Sequence, residues 1–269
     1  PSGDGRVNLR KLMTCRDAVE LWQDFIADGD PSCYFALGLA HDQLGEFKQA
    51  EADFNAYIWH FPLSAEAVTQ RGAARLRQSR LKEAEQDCTV VIHMQGEPEG
   101  YINRANVRLA LGKGEGALAD CNTALELDAV SFYGFLNRGT SQRLLGHFDQ
   151  ALADYDLARR IDDGSFALNR NEALLRAACP AEQFRDGEKA MQLAKKACEA
   201  TNYRDSWSLS SLAAAAAERG DWDAAVKWET EAIAHDKLTR NLPEHNRRLS
   251  AYRNRQAWRL TIGEPVLDD

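Results

Sequence analysis

The sequence lacks the features that identify membrane-spanning and secreted proteins. No stretch approaches the ~18 consecutive apolar residues that a helix needs to cross a bilayer, and the opening PSGDGRVNLRKLM has no apolar core of the secretory kind. We therefore expect a cytoplasmic protein without a transmembrane segment. Because position 1 is Pro and not Met, a signal or anchor removed from ahead of Pro1 is the open alternative for the localisation.

Common catalytic and metal-binding motifs are missing as well. The chain has no GxSxG, HExxH, P-loop or dinucleotide-binding fingerprint, and its six histidines form no HxH and no i, i+4 pair. The six cysteines form no CxxC pair, and we interpret them as small buried residues. The sequence therefore predicts no metal site, no cofactor and no catalytic residue.

Positive charge is scarce, with one local exception. The net charge of -8 disfavours binding to nucleic acid, which requires a cationic face. Residues 237–259, however, contain seven cations and one acid. This segment either lies as a cap against the acidic remainder of the chain or recruits an acidic partner. Its candidate contact residues are Arg247, Arg248 and Arg255.

A period of 34 residues runs through the first two thirds of the chain. Small residues recur at spacings of 34, 33 and 34, namely at Gly38, Gly72, Ala105 and Gly139. Each is followed twelve residues later by an alanine and, four residues after that, by an aromatic residue or cysteine that an aspartate precedes. Each period divides into two helical segments around a breaker such as Gly45 or Gly146. Because one helical hairpin cannot bury its apolar face alone, the pattern predicts an all-α solenoid of stacked hairpins.

The repeated unit resembles the tetratricopeptide repeat family. The segment PSCYFALGLAHDQLGEFKQAEADFNAYIWHFP carries the family's characteristic positions in order, which here are Tyr34, Leu37, Gly38, Ala50, Phe54 and Pro62. The resemblance implies a right-handed superhelical solenoid. We predict repeats at 31–64, 65–97, 98–131, 132–165, 166–205 and 206–239. The fifth carries an insertion between Ala173 and Ala190, where Pro180 is expected to end the first helix and a longer loop to follow. The last two repeats resemble a terminal pair common in bacterial members of the family.

Capping helices are expected at both ends of the solenoid. Residues 1–30 contain an N-terminal capping helix that begins near Thr14 and has Val19, Trp22 and Phe25 on one face. Residues 240–269 contain a basic capping helix that begins near Pro243, and the pattern predicts that it continues to about Arg259. Its apolar residues available for packing are Leu249, Tyr252 and Trp258.

An arginine stands at the seventh position of three repeats, where a leucine would suit an amphipathic helix. An aspartate follows each of them sixteen residues later, in the second helix of the same unit. We interpret these residues as a structural ladder of ion pairs, with presentation of the arginines to an acidic ligand as the alternative. The ladder consists of Arg71 with Asp87, Arg104 with Asp120, and Arg138 with Asp154.

Amide side chains occupy the sixth position of four repeats. In the resembled family the first helix of each hairpin lines a concave groove, where asparagines can bind the backbone of an extended peptide. The alternative is that these amides cap neighbouring turns or are solvated. With Asn106 on the same face, the candidate binding residues are Gln70, Asn103, Asn106, Asn137 and Asn171.

The resemblance implies a non-enzymatic scaffold that binds a protein or peptide. The family's carboxylate clamp for acidic C-terminal tails is not expected, because Phe35 and Leu39 stand where lysine and asparagine would be. The alternative function is that of a regulatory or targeting module of a larger protein, attached for example to a kinase, protease or membrane anchor, with the basic C-terminal helix as its contact surface.

Overall fold

The protein is described here by a computed structural model that covers residues 16–17, 19–20, 22–23, 30–236 and 241–263. Regular secondary structure among these residues is helical, without strands. The chain divides into two compact units, residues 1–96 and 97–269. In the described part of each unit, helical hairpins stack one after another, and the predicted all-α solenoid class is confirmed.

Two hairpins make up the described repeats of the first unit. They are α1 (Cys33–Gln43) with α2 (Phe47–His60), and α3 (Ala65–Arg77) with α4 (Leu81–Gln95). Helix α3 contacts both helices of the first hairpin. The predicted N-terminal capping helix lies mainly outside the described residues, including Thr14 and Phe25. Val19 and Trp22 are described as helical and partly buried.

Four hairpins and one further helix make up the described part of the second unit. They are α5 (Pro98–Ala110) with α6 (Gly114–Leu127), α7 (Phe132–Leu144) with α8 (Phe148–Ile161), α9 (Phe166–Ala178) with α10 (Gly187–Ala200), α11 (Ser206–Glu218) with α12 (Trp222–His235), and finally α13 (Leu242–Arg253). The first helices contact each other in the order α5, α7, α9, α11. They therefore form one continuous face of this unit.

Local hydrogen bonds explain where the first helix of a hairpin begins and ends. The hydroxyls of Ser64 and Ser131 each accept a hydrogen bond at 3.2 Å from the backbone N–H three residues on, and Asp205 caps α11 in the same way at 2.7 Å. Helix α7 ends at Leu144 and is followed by Gly146, whose φ of 84° suits glycine. In the fifth repeat, a loop with a 3-10 turn at Glu182–Phe184 joins the two helices.

Small residues let the two helices of a hairpin approach closely. At Gly139, an added Cβ would lie 2.8 Å from Cε1 of Tyr155 and 3.0 Å from the carbonyl oxygen of Ala151. Tyr155 is fully buried there, in a cluster that also contains Leu136 and Leu168. The glycine at the eighth position is therefore required by the volume of the aromatic ring on the facing helix.

Each ladder arginine binds both oxygens of its aspartate. Nε and Nη2 of Arg104 donate to Oδ2 and Oδ1 of Asp120 at 3.0 and 2.7 Å, and Arg138 binds Asp154 at 2.8 and 2.7 Å. The pair formed by Arg71 and Asp87 has the same geometry, at 3.1 and 2.6 Å. The three aspartates are 2 to 3% exposed. Their charges are thus compensated inside the hairpin and joined to the first helix.

A second arginine, one helical turn after the first, supports two of these pairs. Arg75 donates to Asp87 at 2.8 Å and also to Glu51 at 2.9 Å, on the second helix of the preceding hairpin. Arg108 donates to Asp120 at 2.8 Å. These contacts fix the register within the hairpins and, through Glu51, between two neighbouring hairpins.

The C-terminal helix is shorter than predicted. It ends at Arg253 and not near Arg259, because Arg255 adopts the left-handed conformation with φ of 54°. The N–H groups of Arg255 and Gln256 bond back to the carbonyls of Tyr252 and Ala251 at 3.0 and 2.9 Å. This arrangement is a Schellman end. The composition gave no sign of it, since arginine seldom occupies the position that glycine prefers.

Residues 256–263 form a segment without regular secondary structure, here called the C-terminal strap. The N–H of Leu260 donates to the carbonyl of Ala178 at 2.8 Å, and that of Gly263 donates to the carbonyl of Leu144 at 2.9 Å. Leu260 is buried in a cluster with Leu174, and Trp258 packs beside it. The strap therefore covers the C-terminal ends of α7 and α9, where unpaired carbonyls would otherwise need water.

We predict that Gly139→Ala lowers the free energy of unfolding by about 1 to 3 kcal/mol, because the new methyl group must displace a buried ring and a backbone carbonyl. Urea unfolding followed by circular dichroism measures this loss. Gly164→Ala is the matched control, since its Cβ would come no closer than 3.4 Å to another group. Equal stabilities of the two variants would contradict the close helix contact.

We also predict that Arg138→Met is more destabilising than Arg104→Met. Asp154 has no ionic partner other than Arg138 among the described residues, whereas Asp120 keeps Arg108. Leaving a buried carboxylate unpaired costs about 3 to 5 kcal/mol. Adding Asp154→Leu to Arg138→Met should restore part of the stability in urea unfolding. A strictly additive loss would mean that the two residues do not interact.

Candidate functional site: a groove in the second unit

A cavity of about 490 Å³ opens on the face that the first helices of the second unit form. Its walls come from the first helices of four successive hairpins, α5, α7, α9 and α11. It lies within the second unit, and the site below is built from that unit alone. Because its lining runs across the first helices of four hairpins, a bound segment of chain could contact several repeats at once.

Four of the five predicted binding residues line this cavity. Asn103 and Asn106 project from α5, Asn137 from α7, and Asn171 from α9. The fifth, Gln70, is on α3 of the first unit and is partly buried there. The repeat period thus brings the asparagines of three consecutive repeats of the second unit to one surface.

The asparagines divide into two pairs by their hydrogen bonds. Asn103 and Asn106 are exposed, and no side-chain hydrogen bond to another described residue occupies their amides. Asn137 donates to the carbonyl of Ile102 at a long 3.5 Å, and Asn171 donates to the hydroxyl of Thr140 at 3.1 Å. The latter two amides therefore bridge adjacent first helices, while the former two are available to a ligand.

Apolar side chains supply the rest of the wall. Leu109, Leu136 and Leu174 line the cavity with Tyr133 and Trp207. Tyr133 is 61% exposed, so its aromatic ring is accessible at the cavity wall and is not buried in the core. A bound chain would meet alternating amide and apolar surface, which suits a peptide with both backbone and side-chain contacts.

The charge of the cavity is opposite to that of the chain. Two arginines, Arg143 and Arg170, line it, and no aspartate or glutamate is among its lining residues. Neither arginine was among the residues predicted from the sequence. The sequence signal that could have identified Arg143 is the segment LNRGTSQRL. In the two preceding repeats the second arginine follows the first by four residues, whereas here it follows by five.

The C-terminal cations are not equivalent, and one prediction needs correction. Arg247 and Arg255 are exposed, as a contact residue must be, but Arg248 is 0% exposed. Its Nη1 donates to Ser210 at 2.7 Å and its Nε to Glu244 at 3.2 Å. Arg248 therefore stabilises the packing of α13 and does not present its charge at the surface.

A buried polar cluster surrounds Arg248, and the sequence did not reveal it. The Nδ1 of His245 lies 2.6 Å from Glu229, which also accepts a hydrogen bond from Ser210 at 2.8 Å. The guanidinium of Arg248 lies 4.1 Å from the ring centroid of Trp258 in the strap. These contacts anchor α13 and the strap to the last hairpin.

Other chemistry is not assembled in the described part of the chain. No three His, Cys, Asp or Glu residues there come together as a metal site. Burial raises the pKa of the Cys121 thiol to about 12, so this cysteine is protonated at neutral pH. No helix of the described residues has both the length and the apolar character to cross a membrane.

Comparison with known proteins agrees with the repeat architecture. Models of the tetratricopeptide repeat match residues 31–58 and 206–228. No curated protein is a significant match to the sequence. Among solved structures, a tetratricopeptide repeat protein from Parabacteroides merdae is 19% identical, with 90% of this chain and 88% of that chain aligned at a TM-score of 0.56.

Two further structures align over most of the chain. The C-terminal part of a repeat-containing protein from Cytophaga hutchinsonii is 13% identical and aligns 86% of this chain with 94% of that one, at a TM-score of 0.53. A chain of the APC/C hetero-tetramer Cut9-Hcn1 is 11% identical, with a TM-score of 0.72. That alignment covers 88% of this chain and 46% of the longer one.

These likenesses show the fold, and the two family matches identify tetratricopeptide repeats at residues 31–58 and 206–228. Repeats of this family act as scaffolds for contacts between proteins and are generally not enzymes. Both matches fall on predicted repeats in which the structure has a helical hairpin. The chain is therefore a helical solenoid that contains tetratricopeptide repeats, a repeat type that supports a role as a scaffold for protein interaction.

Proposed function

We propose that the cavity of the second unit binds an extended segment of a partner protein, or a peptide, through its backbone. The observation that carries this proposal is the pair of exposed amides, Asn103 and Asn106, at the cavity wall. A carboxamide offers two donors and one acceptor, so it pairs with both the N–H and the C=O of a peptide. Backbone recognition of this kind tolerates many side chains and suits a scaffold.

The neighbouring contacts support a fixed geometry for such a site. Asn137 and Asn171 are oriented by their bonds to the preceding first helix. The amide oxygen of Asn137 accepts no hydrogen bond from another described residue, whereas that of Asn171 accepts one from Nε of Arg170 at 3.3 Å. A pre-oriented amide loses less conformational entropy on binding than a free one, which favours affinity.

The alternative contact surface is the C-terminal helix. With Arg248 buried, it retains Arg247 and Arg255 as exposed cations. A surface of this kind would bind an acidic partner with a strong dependence on salt, because exposed charges are screened. It fits the reading of the chain as a regulatory or targeting module of a larger protein.

We predict that Asn103→Ala combined with Asn106→Ala weakens peptide binding by about 1 to 3 kcal/mol, from two to four lost hydrogen bonds at about 0.5 to 1.5 kcal/mol each. The probe is a phage-displayed library of random 12-residue peptides selected on the wild-type chain. Binding of the selected peptides is then measured by fluorescence polarisation. The melting temperature should be almost unchanged, because both side chains are exposed.

Two controls separate the possible contact surfaces. Gln150→Ala with Gln183→Ala removes two exposed amides that do not line the cavity, and it should leave affinity unaltered. If replacing Arg247 and Arg255 by methionine abolishes binding while the asparagine variant binds normally, the C-terminal helix is the contact. A library that yields no binder would contradict peptide binding in the groove.

A further inference from the structure

The arginines of the first helices follow a regular pattern that breaks once. In the second repeat, Arg71 and Arg75 both bind Asp87. In the third repeat, the corresponding two arginines both bind Asp120. The second arginine comes four residues after the first in each case, so both lie on the face that meets the second helix.

In the fourth repeat the second arginine is displaced by one residue. Gln142 stands four residues after Arg138, and the arginine follows as Arg143. One residue corresponds to a rotation of about 100° around a helix. Asp154 accordingly has Arg138 as its one ionic partner among the described residues. Arg143 instead lines the cavity.

Arg143 is buried without a compensating carboxylate. It is 7% exposed, and its Nε has no hydrogen-bond partner among the described residues. Arg143 lies beside the neutral phenol of Tyr155. Burial raises the pKa of this phenol, and the charge of Arg143 and a hydrogen bond from it lower that pKa. Glu172 acts on the same phenol, but Arg159 and Arg176 already bind it at 2.5 and 2.6 Å. The charge of Arg143 is therefore left for another group.

The second cation of the cavity is also only weakly engaged. Nε of Arg170 donates to the amide oxygen of Asn171 at 3.3 Å, and its Nη1 lies 3.4 Å from Oδ2 of Asp205. The same oxygen accepts shorter bonds from the backbone N–H and the hydroxyl of Ser208, at 2.7 and 2.6 Å, as the cap of α11. The cavity thus contains two incompletely compensated guanidinium groups in a chain whose net charge is -8.

A buried guanidinium with a free donor is costly, and an anion is the group that removes this cost. A carboxylate matches the forked donors of arginine and forms short, charge-assisted hydrogen bonds in a partly dehydrated site. Amides line the cavity on both sides of α7, from α5 and from α9. A chain that contacts the amides of both α5 and α9 crosses α7, the helix that carries Arg143. This favours binding of an internal side chain over binding of a chain end.

We infer that the segment bound in the groove carries an internal aspartate or glutamate whose carboxylate binds Arg143, with Arg170 as the second cation. The assignment rests on the proposed function, because the amides position the backbone and Arg143 selects the side chain. It makes the groove specific for acidic segments. The residues that set this specificity differ from those of the Arg–Asp ladder, which are paired within the fold.

The test uses the same displayed library of 12-residue peptides, selected in parallel on the wild type, on Arg143→Met and on the control Arg160→Met, an exposed arginine outside the cavity. We expect one acidic position to be enriched with the wild type and with the control, and to be lost with Arg143→Met. A fluorescein-labelled selected peptide is then compared with its Asp→Asn form. The change should weaken wild-type binding about 10- to 100-fold and leave binding to Arg143→Met unaltered.

Each other outcome overturns a stated part of the assignment. Binders without an acidic position, or an equal Asp→Asn effect on wild type and Arg143→Met, contradict the role of Arg143 while the groove stands. A library without binders contradicts the groove and this assignment together. If a phosphoserine in place of the aspartate binds more tightly, the group recognised is a phosphate. If amidation of the peptide's C-terminus causes the loss instead, a chain end is recognised.

Stability of the variant does not decide the result. Thermal unfolding shows whether Arg143→Met folds as the wild type does. If it does not, the Asp→Asn comparison on the wild-type chain, repeated with Arg170→Met, still tests the assignment. If the Asp→Asn change causes no loss of affinity for the wild-type chain, the assignment of an acidic side chain to Arg143 is overturned, whatever the variants do.

Discussion

The structure depends on a buried aspartate in the second helix of the second, third and fourth hairpins and on the cation that binds it from the first helix. In the second to fourth repeats this cation is an arginine that contacts both carboxylate oxygens. In the first repeat Asp53 instead contacts His41 at 2.6 Å. Because Asp87, Asp120 and Asp154 are almost fully buried, each of their three hairpins has one register in which its charges are compensated.

The same requirement explains where the groove acquires its charge. In the second and third repeats a second arginine is used inside the fold, whereas in the fourth repeat the displacement to Arg143 places it at the cavity. In the fifth repeat the seventh position is Glu172, bound by Arg159 and Arg176. At α9 the seventh position is thus an acid and not a cation, and on α7 Arg143 has no carboxylate partner among the described residues.

The C-terminal end is held in place by a different set of contacts. Helix α13 is anchored by Arg248, His245 and Glu229, all fully buried, and the strap then extends along the ends of α7 and α9. Its bonds satisfy the carbonyls of Leu144 and Ala178, and Leu144 also lines the cavity. The end of the solenoid and the site of proposed binding are thus neighbours, within one compact unit.

The sequence by itself determined the helical hairpins, their period and the pairing of each ladder arginine with an acid sixteen residues on, because these features depend on spacing along one or two adjacent helices. It also identified the asparagines that share the cavity. The burial of Arg248, the early end of α13 at Arg255, the path of the strap and the free charge of Arg143 were decided only by the tertiary structure. Each of these depends on which distant groups lie within bonding distance, and spacing in the sequence does not specify that.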